Sequence, residues 1–394
     1  EGWLYMVVLT FLFVGAILRE INLLMVLFGM MVGPYLFSLG LVLLSLRDVR
    51  IRRRMPETIT AGQMLVVDVE VTNAKKRSSS WAIATTDVIE QEAGPNKGER
   101  VHASLFFPHI KPNQSSKQVY EGRLMSRGRY RLGPMRVTSR FPLGLLQSWF
   151  EWPDDNHVVV HPRQGRLSHR WSMLRQAAHQ GRGKNARQQG LVEGDFHGLR
   201  DWRSGDAQRW IHWRTSARLG ELMVRQFEQH RDDDLAVLVD LWQPSKPSEA
   251  DRARVEDVVS FAATVVSDQC RRGGGQLLLC TAGTEITTAR GPASMALLQD
   301  ASESLAVAEA IDGDRVPELL SKTLDQIRPR TSVLLVSTRK IDLNDTERFV
   351  KLWEDPRQRR WAGRITCLDA SSPEFASYFV PDEDTVALPE EVVA

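Results

Sequence analysis

Apolar and polar positions alternate along the chain with three different periods, and each period predicts a different kind of element. Residues 3–18 (Trp3 to Leu18) and 21–46 (Ile21 to Leu46) are continuous apolar runs, separated only by the adjacent charges Arg19 and Glu20. A helix needs about 20 apolar residues to cross a hydrocarbon core roughly 30 Å thick. The second run exceeds that length and the first approaches it, so residues 1–46 are expected to form a transmembrane helical hairpin. A cleaved signal peptide is the competing reading of the first run, but no small-residue cleavage site precedes Arg19. The sequence starts at Glu1 without a methionine, and residues upstream are expected. Gly29 and Gly33 suggest a small-residue face for close helix packing, with a kink at Pro34.

After residue 55 the period becomes two. Leu65, Val67, Val69 and Val71 share one face of a segment whose other face turns increasingly polar, the pattern of a half-buried strand. Further short apolar runs at 81–89, 101–107, 117–125 and 129–138 are separated by Gly, Pro, Asn and Ser. No helical period is sustained, so residues 56–155 are expected to form a small antiparallel β-sandwich. From residue 234 to 371 strand-like runs (235–241, 276–281, 331–337, 364–369) alternate with helix-like stretches (249–272, 293–308, 314–328, 343–355). That alternation predicts a Rossmann-like α/β domain with a parallel sheet covered on both faces. Three segments complete the division: a basic juxtamembrane linker at 47–55, an Arg- and Trp-rich segment at 156–233, and an acidic tail at 372–394.

Charge changes this picture mainly through its placement. Lys and Arg number 51 against 49 Asp and Glu, a net charge of +2, yet almost every charge lies after residue 46. Arg47, Arg50, Arg52, Arg53 and Arg54 directly follow the second apolar run, against Asp48 alone. Arginine at a membrane end stays on the cytoplasmic side, which orients the polar part towards the cytoplasm of a bacterial inner membrane. Residues 161–190 hold seven basic side chains (Arg163, Arg166, Arg170, Arg175, Arg182, Lys184, Arg187) and no acid, whereas 372–394 holds six acids and no base. Cys270, Cys280 and Cys367 are odd in number and lack metal-ligand spacing, so free thiols in a reducing compartment are expected over a disulfide.

The chain shows no Gly-x-Ser-x-Gly elbow, no His-Glu-x-x-His and no complete phosphate loop, since Gly183-Lys184 is followed by Asn185. His157 and His161 flank Val158-Val159-Val160, a strand sequence in which four residues span about 13 Å, too far to share one ion. The densest chemistry is the run 194–220, where three tryptophans and five arginines interleave with aspartates. Such a run suits stacking and the pairing of guanidinium with carboxylate. It reads either as framework or as a surface for a protein partner, with phosphate or nucleic-acid binding a weaker third. Gly205, Asp206, Arg209, Trp213 and Arg218 are expected as framework, with Asp206 facing Arg209 or a neighbouring loop. Trp202 and Arg203 are expected in docking.

The run Leu199-Arg200-Asp201-Trp202, Gly205-Asp206 and Arg209-Trp210-Ile211-His212-Trp213-Arg214-Thr215-Ser216-Ala217-Arg218 resembles the signature of the family called domain of unknown function 58. Arg127 to Pro134 followed by Phe141-Pro142-Leu143-Gly144-Leu145, and His161-Pro162-Arg163, are similar to further landmarks of that family, in the same order. The resemblance implies a C-terminal half like a von Willebrand factor A domain and partnership with MoxR-type AAA+ ATPases. Arg200, Asp201, Trp202, Arg203, Gly205, Asp206, Arg209, Trp213, Ser216, Ala217 and Arg218 are then the signature and candidate docking residues.

Von Willebrand A domains often hold Mg²⁺ through Asp-x-Ser-x-Ser after the first strand. Here Asp240-Leu241-Trp242-Gln243-Pro244 puts Trp and Pro in place of the two serines, and the later strand ends in Arg339-Lys340. Asp240 is therefore expected as a degenerate position with no metal and no cofactor. The function these readings favour is a membrane-anchored, non-enzymatic adaptor working with a cytoplasmic ATPase in assembly or envelope-related remodelling. A membrane-tethered hydrolase of envelope precursors and a basic nucleic-acid-binding membrane protein are the alternatives.

Overall fold

The patterns resolve into a mixed α/β chain. A computed structural model describes residues 2–19, 22–177, 196–203, 206, 208–227, 234–328 and 331–382. Two compact units divide it, residues 1–163 and Gln164–Asp382. The basic side chains Arg182, Lys184 and Arg187, Gly205, and the acidic residues 383–394 lie outside the described residues.

The first unit opens with two apolar helices, α1 (Gly2–Arg19) and α2 (Asn22–Ser45). The stretch Asn22–Val42 is long and apolar enough to cross a membrane, whereas Gly2–Leu18 is a shorter apolar helix. They meet through aromatic rings. The Tyr5 hydroxyl donates to the Met31 carbonyl at 2.7 Å, Tyr5 stacks on Tyr35, and Phe13 meets Phe28 with centroids 5.0 Å apart. The expected Gly29–Gly33 contact is not what joins them. A Cβ built on either glycine meets nothing within 4 Å, because the bulkier rings set the spacing.

Ten strands follow in this unit: β1 (Val49–Arg54), β2 (Thr58–Thr60), β3 (Met64–Asn73), β4 (Ser80–Ala93), β5 (Arg100–Ile110), β6 (Gln114–Arg123), β7 (Gly128–Leu132), β8 (Met135–Ser139), β9 (Ser148–Trp152) and β10 (Asn156–His161). One sheet runs β1-β3-β6. The other runs β2-β10-β7-β4-β8-β9, with β5 paired to β4. Inward positions of both sheets feed one core: Val67, Val69 and Val71 from β3, Ile83 from β4, Leu132 from β7 and Val158 from β10. Two landmark glycines, one opening β7 and one just after it, tolerate no side chain. A Cβ on Gly128 would strike the Ala93 carbonyl, and one on Gly133, at φ +117°, the Asp154 carbonyl.

Residues 47–55 are not a free linker. Val49 and Ile51 alternate with Arg50 and Arg52 as buried and exposed positions of β1, and Arg53 is buried. The Arg53 guanidinium donates to Asp87 Oδ2 (2.6 Å), to Asp154 Oδ2 (3.3 Å), and to the carbonyls of Leu132 (2.9 Å) and Asp154 (3.1 Å). The Tyr120 hydroxyl also donates to Asp87 Oδ2 at 2.8 Å. Burial and the adjacent Asp87 carboxylate push that phenol well above its ordinary value.

The second unit begins with β11 (Gly165–Leu167), a helix α3 over 169–177, β12 (Phe196–Asp201), α4 (Trp213–Leu219) and β13 (Met223–Phe227). A βα alternation follows: β14 (Leu235–Asp240), α5 (Glu249–Arg272), β15 (Gln276–Ala282), β16 (Ile286–Pro292), α6 (Met295–Val307), α7 (Val316–Leu324), β17 (Ser332–Ser337), α8 (Val350–Glu354), α9 (Pro356–Ala362), β18 (Ile365–Asp369) and β19 (Phe379–Pro381). The five-stranded sheet runs β16-β15-β14-β17-β18, parallel except for β16. Successive side chains of β14 serve opposite faces. Leu235, Val237 and Val239 join the core with α5 and α6, whereas Ala236 and Leu238 join α7 and Trp361 of α9. Burial on both sides explains why the strand reads as continuously apolar. Helix α5 starts where Ser248 Oγ accepts from the Asp251 N–H while the Asp251 carboxylate accepts from the Ser248 N–H, and it stops at Gly273 in a left-handed conformation.

Removing one partner of a buried ion pair costs about 3–5 kcal/mol, because the other charge stays desolvated. Arg53→Ala in the full detergent-held chain should therefore lower the melting transition of the first unit by about 10 °C. A melting curve that superimposes on the parent's would contradict this reading of the Arg53–Asp87 pair.

Candidate functional site

The Arg- and Trp-rich run forms one local structure at the start of the second unit. β12 pairs antiparallel with β13, Leu199 opposite Arg225 and Arg200 opposite Val224. Between the strands the Asp206 N–H donates to the Arg203 carbonyl, and the chain then passes a short 3-10 turn at Gln208–Trp210 and enters α4. His212 is the N-cap of α4, its Nδ1 accepting from the Thr215 N–H, and Gly220 closes the helix at φ +75°. Buried Ser216 ties the helix back to β13: its hydroxyl donates to the His212 carbonyl at 3.1 Å and accepts the Met223 N–H at 2.8 Å. Buried Ile211 bridges Val224, and the Trp202 N–H donates to the Leu222 carbonyl.

Asp206 holds the turn. Its carboxylate accepts both Arg200 η-nitrogens, at 2.6 and 2.7 Å, and the Arg203 N–H at 2.9 Å. The Arg200 hydrogen bonds and then the Arg203 N–H bring Asp206 down to about 2. Arg200 is thus a partner of Asp206; the Arg209 side chain lies outside the described residues. Arg200 and Asp206 are six positions apart, yet the chain brings them face to face, as spacing alone does not reveal.

The outer surface of this element is aromatic and cationic. Trp213 is 65% exposed and Trp202 38%, with Leu219 and Leu222 exposed beside them. Trp213, expected in the framework, instead projects from the first turn of α4. Asp201, Arg203, Ala217 and Arg218 are also exposed, and Arg200 Nη1 donates to the Asp201 carbonyl.

The second polar cluster lies at the carboxyl end of the parallel sheet. Parallel register sets Asp240 beside Ser337, and the Ser337 hydroxyl donates to Asp240 Oδ2 at 2.7 Å. Arg339 Nε lies 3.6 Å from the same oxygen, while its Nη2 reaches Asp314 at 2.6 Å. Arg348 closes on Asp314 through Nε at 2.7 Å and Nη2 at 2.9 Å. The Trp242 ring lies against the Arg339 guanidinium at 5.0 Å, and its indole N–H donates to the Asp312 carbonyl. Burial pushes the Asp240 carboxyl up, opposed by Ser337 and Arg339. Burial also acts on Asp314, but Arg348 and Arg339 outweigh it and hold that carboxyl below its ordinary value. These residues do not fit a divalent ion. Arg339 takes the place between the carboxylates, and Trp242 offers an indole N–H where an oxygen ligand would be needed.

Residues 198–343 match the family described as protein of unknown function DUF58. This segment is a member of the DUF58 family. A relative in Bacillus subtilis (strain 168), named uncharacterized protein YeaD, is 26% identical over 245 residues, 61% of this chain and 58% of that protein. The match therefore spans less than two thirds of that relative's length. Among solved structures, the CARDB domain of a Pyrococcus furiosus protein is 12% identical, covering 29% of this chain and 94% of its own, at a TM-score of 0.19. A superoxide reductase from Ignicoccus hospitalis is 15% identical, covering 28% and 79%, also at 0.19. Neither likeness carries an argument.

The DUF58 segment thus contains the β12–α4–β13 element and most of the cluster around Asp240. Sequence reading missed Asp314 and Arg348, which no spacing links to Asp240. The alternation of strands and helices could have located the shared carboxyl edge, but not which loop residues meet there.

Asp206 has its ordinary value near 3.9 when unfolded. Its ionised form stabilises the turn fully above that pH and progressively less as pH falls towards 2. Arg200→Ala should move the Asp206 carboxylate midpoint, followed by carbon-13 NMR, from about 2 towards 3.9. An unmoved midpoint would show that Arg200 does not hold it.

Proposed function

We propose that this DUF58 protein is a membrane-anchored, non-enzymatic adaptor whose β12–α4–β13 element is the docking surface for a MoxR-type AAA+ ATPase. The observation that carries the proposal is the pairing of a rigid base with an exposed apolar surface. Arg200, Asp206, His212 and Ser216 fix the backbone, and Trp202, Trp213, Leu219 and Leu222 stand out from it. Tryptophan and arginine are the side chains most enriched among residues that dominate binding energy, and a preorganised surface loses little entropy on association. The ATPase as partner follows from the family resemblance of the signature run.

In this reading α1 and α2 both span the inner membrane, and the polar part faces the cytoplasm. Arg47, Arg50, Arg52 and Arg54 are the exposed cations that support that orientation, Arg53 being committed to Asp87. The two sheets of the first unit serve as a β-sandwich spacer. The second unit is a von Willebrand A-like domain in which Arg339 and Arg348 replace the metal as the counter-charge of Asp240 and Asp314. Such a domain presents its signature element without a metal switch.

The test pairs stability with binding on the same variants. Trp202→Ala and Trp213→Ala should leave the melting temperature within about 2 °C of the parent, as exposed side chains do, while affinity for the ATPase falls about tenfold or more, the scale of a residue worth over 1 kcal/mol. Ser216→Ala should lower both, because it unties α4 from β13. If binding tracks stability across all three, the element is framework and the docking site lies elsewhere.

A further inference from the structure

The carboxyl end of a helix leaves its last carbonyls without intrahelical donors. In α2 they are supplied from the strands. Lys75 Nζ donates to the carbonyls of Leu44 (3.0 Å) and Ser45 (2.9 Å), and the Ser80 hydroxyl donates to the Ser45 carbonyl (3.1 Å). Burial lowers the Lys75 ammonium from its ordinary value, with Asp48 opposing. The hydroxyls of Ser45 and Ser139 meet at 3.0 Å, and both donate to the Trp81 carbonyl. Helix α2 also packs against β9. At the start of α1, at the same open end of the hairpin, Gly2 lies so close to the Leu145 carbonyl that a Cβ would collide with it. The helices therefore meet the strands of the first unit at a face built from the 74–81 turn and the 139–149 loop.

That face exposes two tryptophans and a leucine. Trp81 is 42% exposed, Leu143 55% and Trp149 59%. These are large apolar groups held in place: Trp81 stacks on Phe141 and His109, and the Arg136 guanidinium lies 5.3 Å from the Trp149 ring. Exposed cations come from the same two segments, Lys76 and Arg77 in the turn and Arg140 in the loop. The acidic groups beside them, Asp48 and Glu151, already face Arg47 and Arg136. The 24 residues of α2 rise about 36 Å, slightly more than a hydrocarbon core, so Ser45 and the face around it fall at headgroup level. Tryptophan favours that depth because its ring is apolar and its N–H polar, and Lys and Arg next to it gain from anionic headgroups.

We propose that this face, centred on Trp81, Leu143 and Trp149 and rimmed by Lys76, Arg77 and Arg140, rests on the anionic phospholipid headgroups of the bilayer that α2 crosses. The lipid contact fixes the tilt of the strands on the membrane. The inference rests on α2 spanning the bilayer.

The experiment uses the full chain, with Cys270, Cys280 and Cys367 replaced by Ser, in phosphatidylcholine vesicles with and without phosphatidylglycerol. An environment-sensitive fluorophore is attached in turn through Leu143→Cys, Phe37→Cys and Lys97→Cys. Phe37 is an exposed position of α2. Lys97 sits beyond the far end of β4, about 40 Å along the strand from Ser80 at 3.3 Å per residue. Emission should shift to the blue at 37 and 143 but not at 97, and the shift at 143 should shrink without phosphatidylglycerol or with Lys76→Glu and Arg77→Glu together. A shift at 37 with position 143 behaving like 97 overturns the lipid contact while leaving the span intact. No shift at 37 removes the span, and the lipid contact with it. A shift at 143 equally large on pure phosphatidylcholine overturns the anionic assignment. In the chain with its native cysteines, Trp149→Phe should remove part of the tryptophan emission quenched by brominated lipid rather than none of it. The reverse result overturns the proposal independently of the cysteine background.

Discussion

A buried carboxylate stays charged only where a guanidinium, a hydroxyl or an N–H is brought to it, and this chain meets that constraint repeatedly with arginine. Arg53 meets Asp87 and Asp154 where β1 joins the rest of the first unit. Arg200 meets Asp206 where the β12–α4–β13 element turns. Arg339 and Arg348 meet Asp240 and Asp314 where the parallel strands end. The planar guanidinium supplies several donors in a fixed geometry, so each pair sets direction as well as distance. A near balance of 51 basic and 49 acidic side chains therefore says little about partners until the internal pairs are set aside.

Setting them aside leaves two surfaces with different chemistry. At the Arg200–Asp206 turn, tryptophan and leucine stand outward with Arg203 and Arg218, a composition that suits a protein partner. Around the end of α2, lysine and arginine remain exposed beside tryptophan, a composition that suits headgroups. Lys75 and Ser80 play for the helix end what Arg200 plays for the turn: they satisfy polar groups beside apolar side chains that face outward. The Asp240 cluster differs from both, since its cations and anions satisfy one another.

Much of the architecture was legible because it depends on local periodicity. The apolar length of 21–46, the alternation from Leu65 to Val71 and the β/α rhythm after residue 234 each reflect burial on one face, on two faces or all round. Strand β1 was not legible as such, because three exposed arginines and a buried fourth read as one basic run, and only Val49 and Ile51 betray the period of two. Antiparallel β16 was also missed, since Ile286–Pro292 is largely exposed and carries no apolar stripe. At the candidate site the sequence did not show that Arg200 meets Asp206, and it placed Trp213 among the framework although its side chain is exposed. Pairing across a turn and exposure on a seven-residue helix are set by tertiary contacts, which no spacing encodes. Helix packing through Tyr5, Phe13, Phe28 and Tyr35 overrode the Gly29–Gly33 expectation for the same reason.

The central claim is that the β12–α4–β13 element is prebuilt for a protein partner. Hydrogen exchange measured on the full chain in nanodiscs, with and without the MoxR-type ATPase of the same organism, tests it most directly. The account predicts partner-dependent slowing of amide exchange concentrated in 199–203 and 211–224, with the sheet strands β14, β15 and β17 unchanged. Slowing confined to the loops around Asp240 and Arg339, with the signature element exchanging as before, would contradict it.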